Sequence, residues 1–467
     1  MSVLPTGVFQ SFGIFNYRVW AVGSLVSNVG TWMQRTAQDW LVLAELTDHN
    51  ASAVGIVMAL QFGPQLLLLP WTGFAADHFN QRKLLIATQA AMGVLSLGLG
   101  LLTVAGLAQL WHVYVFAFLF GCAAAFDAPV RQTFVSELVG DVDLPNAVAL
   151  NSASFNAARM LGPAAAGLVI MSIGSGWAFL INGASFVAVL VSLCLLRVEK
   201  LHSSARAPRA KGSFAKGLRY VWTRPDLRAI LLMLFLIGTF GLNFPIFIST
   251  MAVSVFHADA AGYGLLSSIM AIGTMSGALL AAGSGTPRFS SLLFGAAIFG
   301  LGCALAAIAP AYWVFAGALV VIGVTTLTLT NGTNSLMQLS TEPEMRGRVM
   351  AIRVAVALGG TPLGAPVVGW VADHFGPRWA LAVGAASGVA AAIVAASYLM
   401  REKAAHRRIC DLSPGTKSET LPRERRKRPS KSGQSKQCGE TSLTTSPSQI
   451  GWSRSTRRHE RSTTEQQ

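Results

Sequence analysis

The chain carries little charge and lacks the motifs of nucleotide-driven and hydrolytic proteins. Only 12% of its 467 residues are Asp, Glu, Lys or Arg, whereas 52% are hydrophobic. Soluble globular proteins carry roughly 25% charged residues. No Gly-Lys dipeptide occurs, which excludes a phosphate-binding loop of the ATPase kind. No Gly-x-Ser-x-Gly motif occurs either. The sequence therefore predicts neither an ATP-driven pump nor an enzyme.

Ligands for a metal or a cofactor are also scarce. Five cysteines are scattered without Cys-x-x-Cys spacing, and we interpret them as packing residues. The histidines lie in loops, in the C-terminal tail or at the edges of apolar runs. The formal net charge of +15 is concentrated after residue 400, where 16 Lys and Arg stand against 7 Asp and Glu. We expect no metal, no cofactor and no nucleic-acid partner.

Apolar runs are abundant, and each is long enough to span roughly 30 Å of hydrocarbon. Because backbone polar groups find no water in lipid, each run must be helical. Twelve segments can be marked: 17–45, 52–76, 84–106, 111–135, 147–171, 177–197, 229–255, 263–283, 289–309, 312–337, 349–371 and 379–400. The sequence therefore predicts an all-α polytopic membrane protein with twelve transmembrane helices.

The charge of the loops predicts how these segments are oriented. Lys and Arg occur in the links after the second, sixth, eighth and tenth segments, but none follows the first, third, fifth, seventh or ninth. The link after the eleventh segment has one, Arg378. Basic loops stay on the cytoplasmic side. Both termini are therefore predicted to be cytoplasmic, and we expect a multi-pass protein of the plasma (inner) membrane.

The two halves of the chain resemble each other. A shift of 202 residues places Leu161-Gly162, Gly167, Gly174, Trp177-Ala178 and Ser185 on Leu363-Gly364, Gly369, Gly376, Trp379-Ala380 and Ser387 without a gap. This pattern predicts two parallel six-helix repeats. The predicted order is a cytoplasmic N-terminus (1–16), a six-helix bundle (17–197), a basic cytoplasmic linker (198–228), a second bundle (229–400) and a disordered basic cytoplasmic tail (401–467).

A charged hinge lies between the second and third segments. Its key positions are Gly73, Asp77, Asn80, Arg82 and Lys83. The hinge resembles the cytoplasmic signature loop of the major facilitator superfamily, whose fold is two six-helix repeats. The resemblance covers residues 10–400, within the drug–proton antiporter branch that includes macrolide efflux and enterobactin export proteins. It implies that the Asp and the basic pair hold the inward gate closed; a loop that only sets orientation is the alternative. Asn80 stands where the family has Gly, and Asn tolerates a left-handed conformation.

A second charged pair is predicted at the inner end of the fourth helix. Asp127 and Arg131 are four residues apart, so they share a helix face and can form an ion pair. We expect them near the signature loop. A gate network and a local, self-neutralising pair are both open interpretations.

The fifth segment combines small residues with a charge. Gly162, Pro163 and Gly167 resemble the antiporter signature of the superfamily, in which a kinked helix 5 slides against helix 8. Ordinary close packing is the alternative. Arg159 falls near the middle of its span, where a charge is costly and needs a partner or water.

Charges also lie within the outer half of the first helix. Arg35 and Asp39 share one helix face. A carboxylate inside the membrane beside arginines can exchange a proton as substrate moves. Asp39, with Arg35 and Arg159, is therefore the first candidate for proton coupling, and Asp127 is the second. A purely structural Arg35–Asp39 pair is equally open.

Helices 1, 4, 7 and 10 line the cavity in this superfamily, so their polar side chains are candidates for substrate contact. These candidates are Trp32, Gln34, Gln38, Asn243, Thr326, Asn331, Asn334 and Gln338. Such residues also serve as hydrogen-bond partners between helices. A second stretch, Gly369-x-x-x-Asp373-x-x-Gly376-x-Arg378, echoes the signature loop but follows the eleventh helix, which puts it on the predicted outer side.

The resemblance implies a secondary exporter that moves small amphipathic molecules, drugs or a siderophore, by alternating access. Since the sequence has no nucleotide site, the proton gradient is the expected energy source. An importer or uniporter of the same superfamily is the first alternative, and a non-transporting membrane sensor or membrane enzyme is the second. The expected partners are a small-molecule substrate and the lipid bilayer, and we expect a monomer.

Overall fold

The computed structural model describes residues 7–202, 214–283 and 287–412; the side chains of 76, 77, 214, 282 and 405–412 lie outside this description. Every regular element in these ranges is helical. The α-helices are α1 (Phe15–Trp40), α2 (Ala51–Leu67), α3 (Leu69–His78), α4 (Gln81–Val104), α5 (Leu110–Ile173), α6 (Ser175–Leu195), α7 (Phe214–Thr223), α8 (Pro225–Leu236), α9 (Phe244–Thr250), α10 (Ala260–Gly283), α11 (Phe289–Ala307), α12 (Tyr312–Ser340), α13 (Pro343–Phe375) and α14 (Pro377–Leu412). Three π-helical segments, Leu41–Leu46, Ile237–Gly241 and Met251–Val255, follow α1, α8 and α9.

Many of these helices are long and apolar enough to cross a membrane. Within the described ranges nine meet that condition, and the pair α2 and α3, bent by 57°, makes a tenth span if it is counted as one. The all-helical membrane architecture is thereby confirmed, whereas the count of twelve spans stays a prediction. The first predicted segment is helical, but α1 is not among the nine. Its buried positions include Ser27, Gln34 and Asp39, which lower the hydropathy of that helix.

The fourth and fifth predicted segments lie in one helical run. α5 is 64 residues long, and its interruption is Gly140, with φ 71° and ψ −179°. A positive φ is readily adopted only by glycine, so this residue is where the chain changes direction. The predicted link between the two segments is therefore helical on both sides of Gly140, which is the one residue inside α5 with a non-helical backbone conformation.

The internal repeat is visible in the backbone. Gly174 ends α5 with φ 98° and ψ 162°, and Gly376 ends α13 with φ 100° and ψ 162°. The two glycines are 202 residues apart in the alignment of the halves. The same left-handed turn therefore joins the last two helices of each half.

The regions flanking the two halves are described only in part. In the predicted linker, α7 packs against α13, and residues 203–213 lie outside the described part. Arg224, which bonds to Asp226 at 2.9 Å within the linker, joins the linker to the second half because its guanidinium also donates to the carbonyl of Ser340 at 3.0 Å. The predicted tail begins too early at 401, since α14 continues to Leu412. Residues 1–6 and 413–467, which include most of the predicted disordered tail, are not described.

Candidate functional site: two adjoining cavities

Two cavities adjoin near the middle of α1. The larger, of about 770 Å³, is lined by residues of the first half only. The smaller, of about 390 Å³, is lined by residues of both halves. Trp32, Arg35 and Phe62 border both cavities, so these three side chains lie where the cavities meet.

The polar face of α1 points into the smaller cavity. Trp32, Arg35, Thr36 and Asp39 all line it. Their spacing of three and four residues places them on successive turns of one helix face. The same polar face explains why α1 has a lower hydropathy than its neighbours.

The guanidinium groups of two arginines lie close to the ring of one tryptophan. The guanidinium carbon of Arg35 lies 4.9 Å from the ring centre of Trp32 and 5.3 Å from that of Phe62. That of Arg159, on α5, lies 5.5 Å from Trp32. A cation over an aromatic face is attracted by the ring quadrupole. The Nε of Arg35 is buried and finds no hydrogen-bond partner among the described residues, so one strong donor remains available beside the cavity.

Asp39 joins the two halves. Tyr263, on α10 of the second half, donates a hydrogen bond from its hydroxyl to Asp39 Oδ2 at 3.2 Å. Both side chains are buried and both line the smaller cavity. The open interpretation of a direct Arg35–Asp39 ion pair is not realised among the described side chains, because Arg35 turns toward the aromatic rings. The carboxylate of Asp39 instead accepts its hydrogen bond from Tyr263, which is 224 residues away in the chain.

Asp127 and Arg131 form the predicted ion pair, with Arg131 Nε donating to Asp127 Oδ2 at 3.0 Å. The pair belongs to a wider network within the first half. Thr88 and Gln89 of α4 donate to Asp127 Oδ1 at 3.0 and 2.6 Å. The Arg131 guanidinium donates to Ser24 Oγ at 3.1 Å and to Asn28 at 2.9 Å. Three helices are thus tied together, and Asp127 and Arg131 border the larger cavity.

The residues of the predicted signature loop differ in their contacts and in their exposure. Arg82 Nε donates to the carbonyl of Leu193, at the end of α6, at 2.7 Å. It therefore caps a helix of its own half, while the side chain of Lys83 is exposed. Gly73 is half-buried within α3, and the side chain of Asp77 lies outside the described part of the chain.

Asn80 has a role in the loop that differs from the expected one. It adopts φ −66° and ψ 118°, so it is not left-handed. Its side chain accepts a hydrogen bond from the backbone N–H of Lys83 at 3.1 Å. Asn is favoured at such N-cap positions because it satisfies a free amide of the first helical turn. The residue therefore starts α4.

The small residues of the fifth predicted helix form a seam with α10. A Cβ added to Gly167 would lie 2.7 Å from the carbonyl oxygen of Ala260. Gly264 of α10 packs in turn against the carbonyl of Pro163. Gly162 packs against Trp32. The contact expected between the fifth and eighth predicted helices is therefore present. It is made by the second part of α5 and by α10, and it joins the two halves.

Most of the predicted substrate contacts lie away from both cavities. Trp32 borders both cavities and Thr326 lines the smaller one. The lining residues do not include Gln34, Gln38, Asn243, Asn331, Asn334 and Gln338. Gln34 accepts a hydrogen bond from Asn182 of α6 at 2.5 Å, and Asn243 donates to the carbonyl of Thr239 at 2.7 Å. These two side chains are used for helix packing, since a buried amide needs a partner.

Other residues of the cavity were missed by the sequence analysis. Gln61 and Phe62 come from α2, Tyr263 from α10 and Thr361 from α13, and all four line the smaller cavity. The expectation that helices 1, 4, 7 and 10 supply the lining overlooked these helices. The Nε2 of Gln61 is buried without a hydrogen-bond partner among the described groups. A polar Gln in an apolar segment was the signal available for it.

The helical architecture and the central cavities define a multi-pass membrane transporter of the major facilitator type. The chain belongs to the transmembrane secretion effector family of this superfamily, which it matches over residues 6–421. It is 27% identical over 375 residues to the multidrug efflux pump Tap of Mycolicibacterium fortuitum, covering 76% of this chain and 88% of that one. It is 23% identical over 363 residues to the enterobactin exporter EntS of Shigella flexneri, covering 77% and 85%.

Solved structures support the fold. A POT family transporter in complex with a thioalcohol-conjugated peptide superposes with a TM-score of 0.67 at 13% identity, covering 85% of this chain and 99% of that one. The nucleoside transporter NupG superposes with a TM-score of 0.65 at 12% identity, covering 82% and 99%. The family prediction and the prediction of a multi-pass transporter of the inner membrane are thus confirmed.

Proposed function

We propose that this protein is a secondary active exporter that uses the proton gradient to move small amphipathic molecules out of the cell. The relatives named as efflux pump and exporter support the direction of transport. The cavity supports the class of substrate, because about 390 Å³ falls within the usual range of small-molecule sites. Trp32 and Phe62 offer apolar surface, and Arg35 offers a free donor beside them.

Alternating access is supported by where the two halves touch. The contacts at Gly167 and Ala260 lie near the start of α10. Under the predicted topology this is the outer end of the helices. The larger cavity, bordered by Asp127 and Arg131, lies toward the predicted inner end. We infer a conformation that is closed outside and accessible from the cytoplasm.

The observation that carries the proposal is the contact between Tyr263 and Asp39. It crosses from one half to the other, so the separation of the halves must break it. A hydroxyl donates more strongly to a carboxylate than to a carboxylic acid. The donor that Asp39 has in this conformation is lost when the halves separate, so its carboxyl group has different surroundings in the two conformations. We propose that this carboxyl group carries the coupled proton between them.

The test is proton-coupled transport in inverted membrane vesicles, with a dye, a macrolide and a catecholate siderophore as separate substrates under an imposed pH gradient. We expect at least one of them to dissipate the gradient with the wild type. Asp39→Asn should abolish this coupling because the amide cannot carry the proton. Tyr263→Phe should weaken it because the carboxylate loses its donor.

The matched control is Asp48→Asn, since Asp48 is an exposed carboxylate shortly after the same helix. This variant should transport and couple like the wild type. Substrate movement without proton flux in the wild type would reject proton coupling and leave a uniporter. Accumulation in the opposite direction would indicate an importer.

A further inference from the structure

A carboxylate of the second half caps a helix of the first half. Asp373, near the end of α13, accepts hydrogen bonds from the backbone N–H groups of Ala51 and Ser52 at 2.6 and 2.8 Å. The hydroxyl of Ser52 donates to the same carboxylate at 2.5 Å. Ala51 and Ser52 are the first two residues of α2. Three donors of one half therefore converge on a single side chain of the other.

The chemistry of a helix start makes this contact strong. The first amides of a helix have no partner within it, and the helix dipole places partial positive charge at the same point. α2 supplies part of its own cap, since Asn50 accepts from the N–H of Ala53 at 2.9 Å. The N–H groups of Ala51 and Ser52 are left to Asp373. The N-terminus of α2 is therefore fully capped only while the two halves are together.

Close packing of α2 on α13 positions the carboxylate. A Cβ added to Gly369 would lie 2.5 Å from the carbonyl oxygen of Ala51. Gly55 of α2 packs in the same way on the carbonyl of Ala365. A side chain at either glycine would push the helices apart and lift Asp373 from its donors. The glycines and the carboxylate thus form one seam.

The symmetry-related seam has no such carboxylate. The shift of 202 residues places Gly167 on Gly369, and Gly167 packs on Ala260 as Gly369 packs on Ala51. The same shift places Met171 on Asp373. The acid near the start of α10 is Asp259, and its Oδ1 accepts from the N–H of Gly262 within its own helix, at 2.8 Å. Of these two related seams, only the α2–α13 seam is closed by a charge.

We infer that Asp373 is an outer-gate latch, which holds α2 against α13 when the protein is closed at this end and releases it when this end opens. The inference rests on the proposed alternating-access function. It also assigns a role to the second Gly-x-x-x-Asp stretch, which stands on the predicted outer side. When this end opens, the hydrogen bonds between Asp373 and the amides of α2 break, and both groups bind water instead.

The latch is tested by distance measurements on the full-length protein in lipid nanodiscs without substrate. Spin labels are attached to cysteines introduced at Asp48 and Phe375, both exposed and flanking the seam, after replacement of the native cysteines. Asp373→Asn removes the charge at nearly constant volume. We expect it to raise the ratio of open to closed distances about two- to fivefold. Ser52→Ala, which removes one donor, should raise the ratio less.

Asp259→Asn is the matched control, since it makes the same chemical change at a cap that does not cross between the halves. It should leave the distances unchanged. Identical distributions for Asp373→Asn and the wild type would overturn the latch, and so would an equal shift with Asp259→Asn. Because no substrate is used, a shift seen only with Asp373→Asn supports the latch even if the vesicle assay rejects proton-coupled export. Coupled export with no shift rejects the latch alone.

Discussion

The Asp127–Arg131 network offers the sharpest test of what holds the first half together. Asp127 is only 6% exposed and accepts from Arg131, Thr88 and Gln89. Asp127→Asn keeps the volume and one acceptor oxygen but removes the charge. Arg131 is then left without its carboxylate at the wall of the larger cavity.

The expected loss can be worked out from the geometry. Breaking a fully buried ion pair by changing one partner costs about 3–5 kcal/mol. Arg131 retains 16% of its side-chain exposure and can recruit water from the cavity, so we reduce this to about 2–3 kcal/mol. In a chain of 467 residues such a loss lowers the melting temperature by about 2–3 °C. Ser24 and Asn28 still accept from the guanidinium, which limits the effect further.

The assay is thermal unfolding of the purified protein in detergent, arranged as a double-mutant cycle. Asp127→Asn and Arg131→Gln should each lower the melting temperature, and the double variant should lose clearly less than the sum of the two. Such coupling is expected of side chains in direct contact or in one hydrogen-bond network. Additive losses, or an Asp127→Asn variant as stable as the wild type, would refute the view that the pair is a stabilising contact.

Three further substitutions test local features of the fold. Gly140→Ala should cost about 1–2 kcal/mol, because φ 71° is unfavourable for a side chain, and should lower the melting temperature. Arg82→Gln should cost about 1 kcal/mol by uncapping the carbonyl of Leu193, again measured by thermal unfolding. Gly264→Ala should separate α10 from α5 and increase alkylation of cysteines placed at the outer end of that seam. Gly317→Ala, where a Cβ meets nothing within 4 Å, should leave that alkylation unchanged.

Sequence patterns predicted the features that depend on neighbours along the chain. Apolar runs predicted the helices because lipid leaves the backbone no other partner. The spacing of four residues predicted the Asp127–Arg131 pair, which the structure contains. The shift of 202 residues predicted two repeats, and Gly174 and Gly376, which it aligns, end their helices with the same backbone conformation. The expected role of Asn80 was wrong, since one residue type suits both a left-handed turn and an N-cap.

The limits of this prediction are clearest in α1. Arg35 and Asp39 share a helix face, so the sequence left open whether they form an ion pair with each other or take part in proton coupling. The structure gives each a different partner: Arg35 lies against Trp32, and Asp39 binds Tyr263. Gln34 was likewise a candidate for the cavity and instead bonds to another helix. Helix periodicity sets which residues share a face, but the neighbouring helix decides what that face meets.

By itself, the sequence of this protein determined a helical membrane transporter built from two related halves. Only the tertiary structure decided which residues join those halves. Asp39 meets Tyr263 across 224 residues of chain, and Asp373 meets Ala51 across 322. Contacts of this kind depend on how whole helices are packed and rotated, and no local spacing encodes them. A carboxylate becomes a latch because a helix from the other half begins beside it.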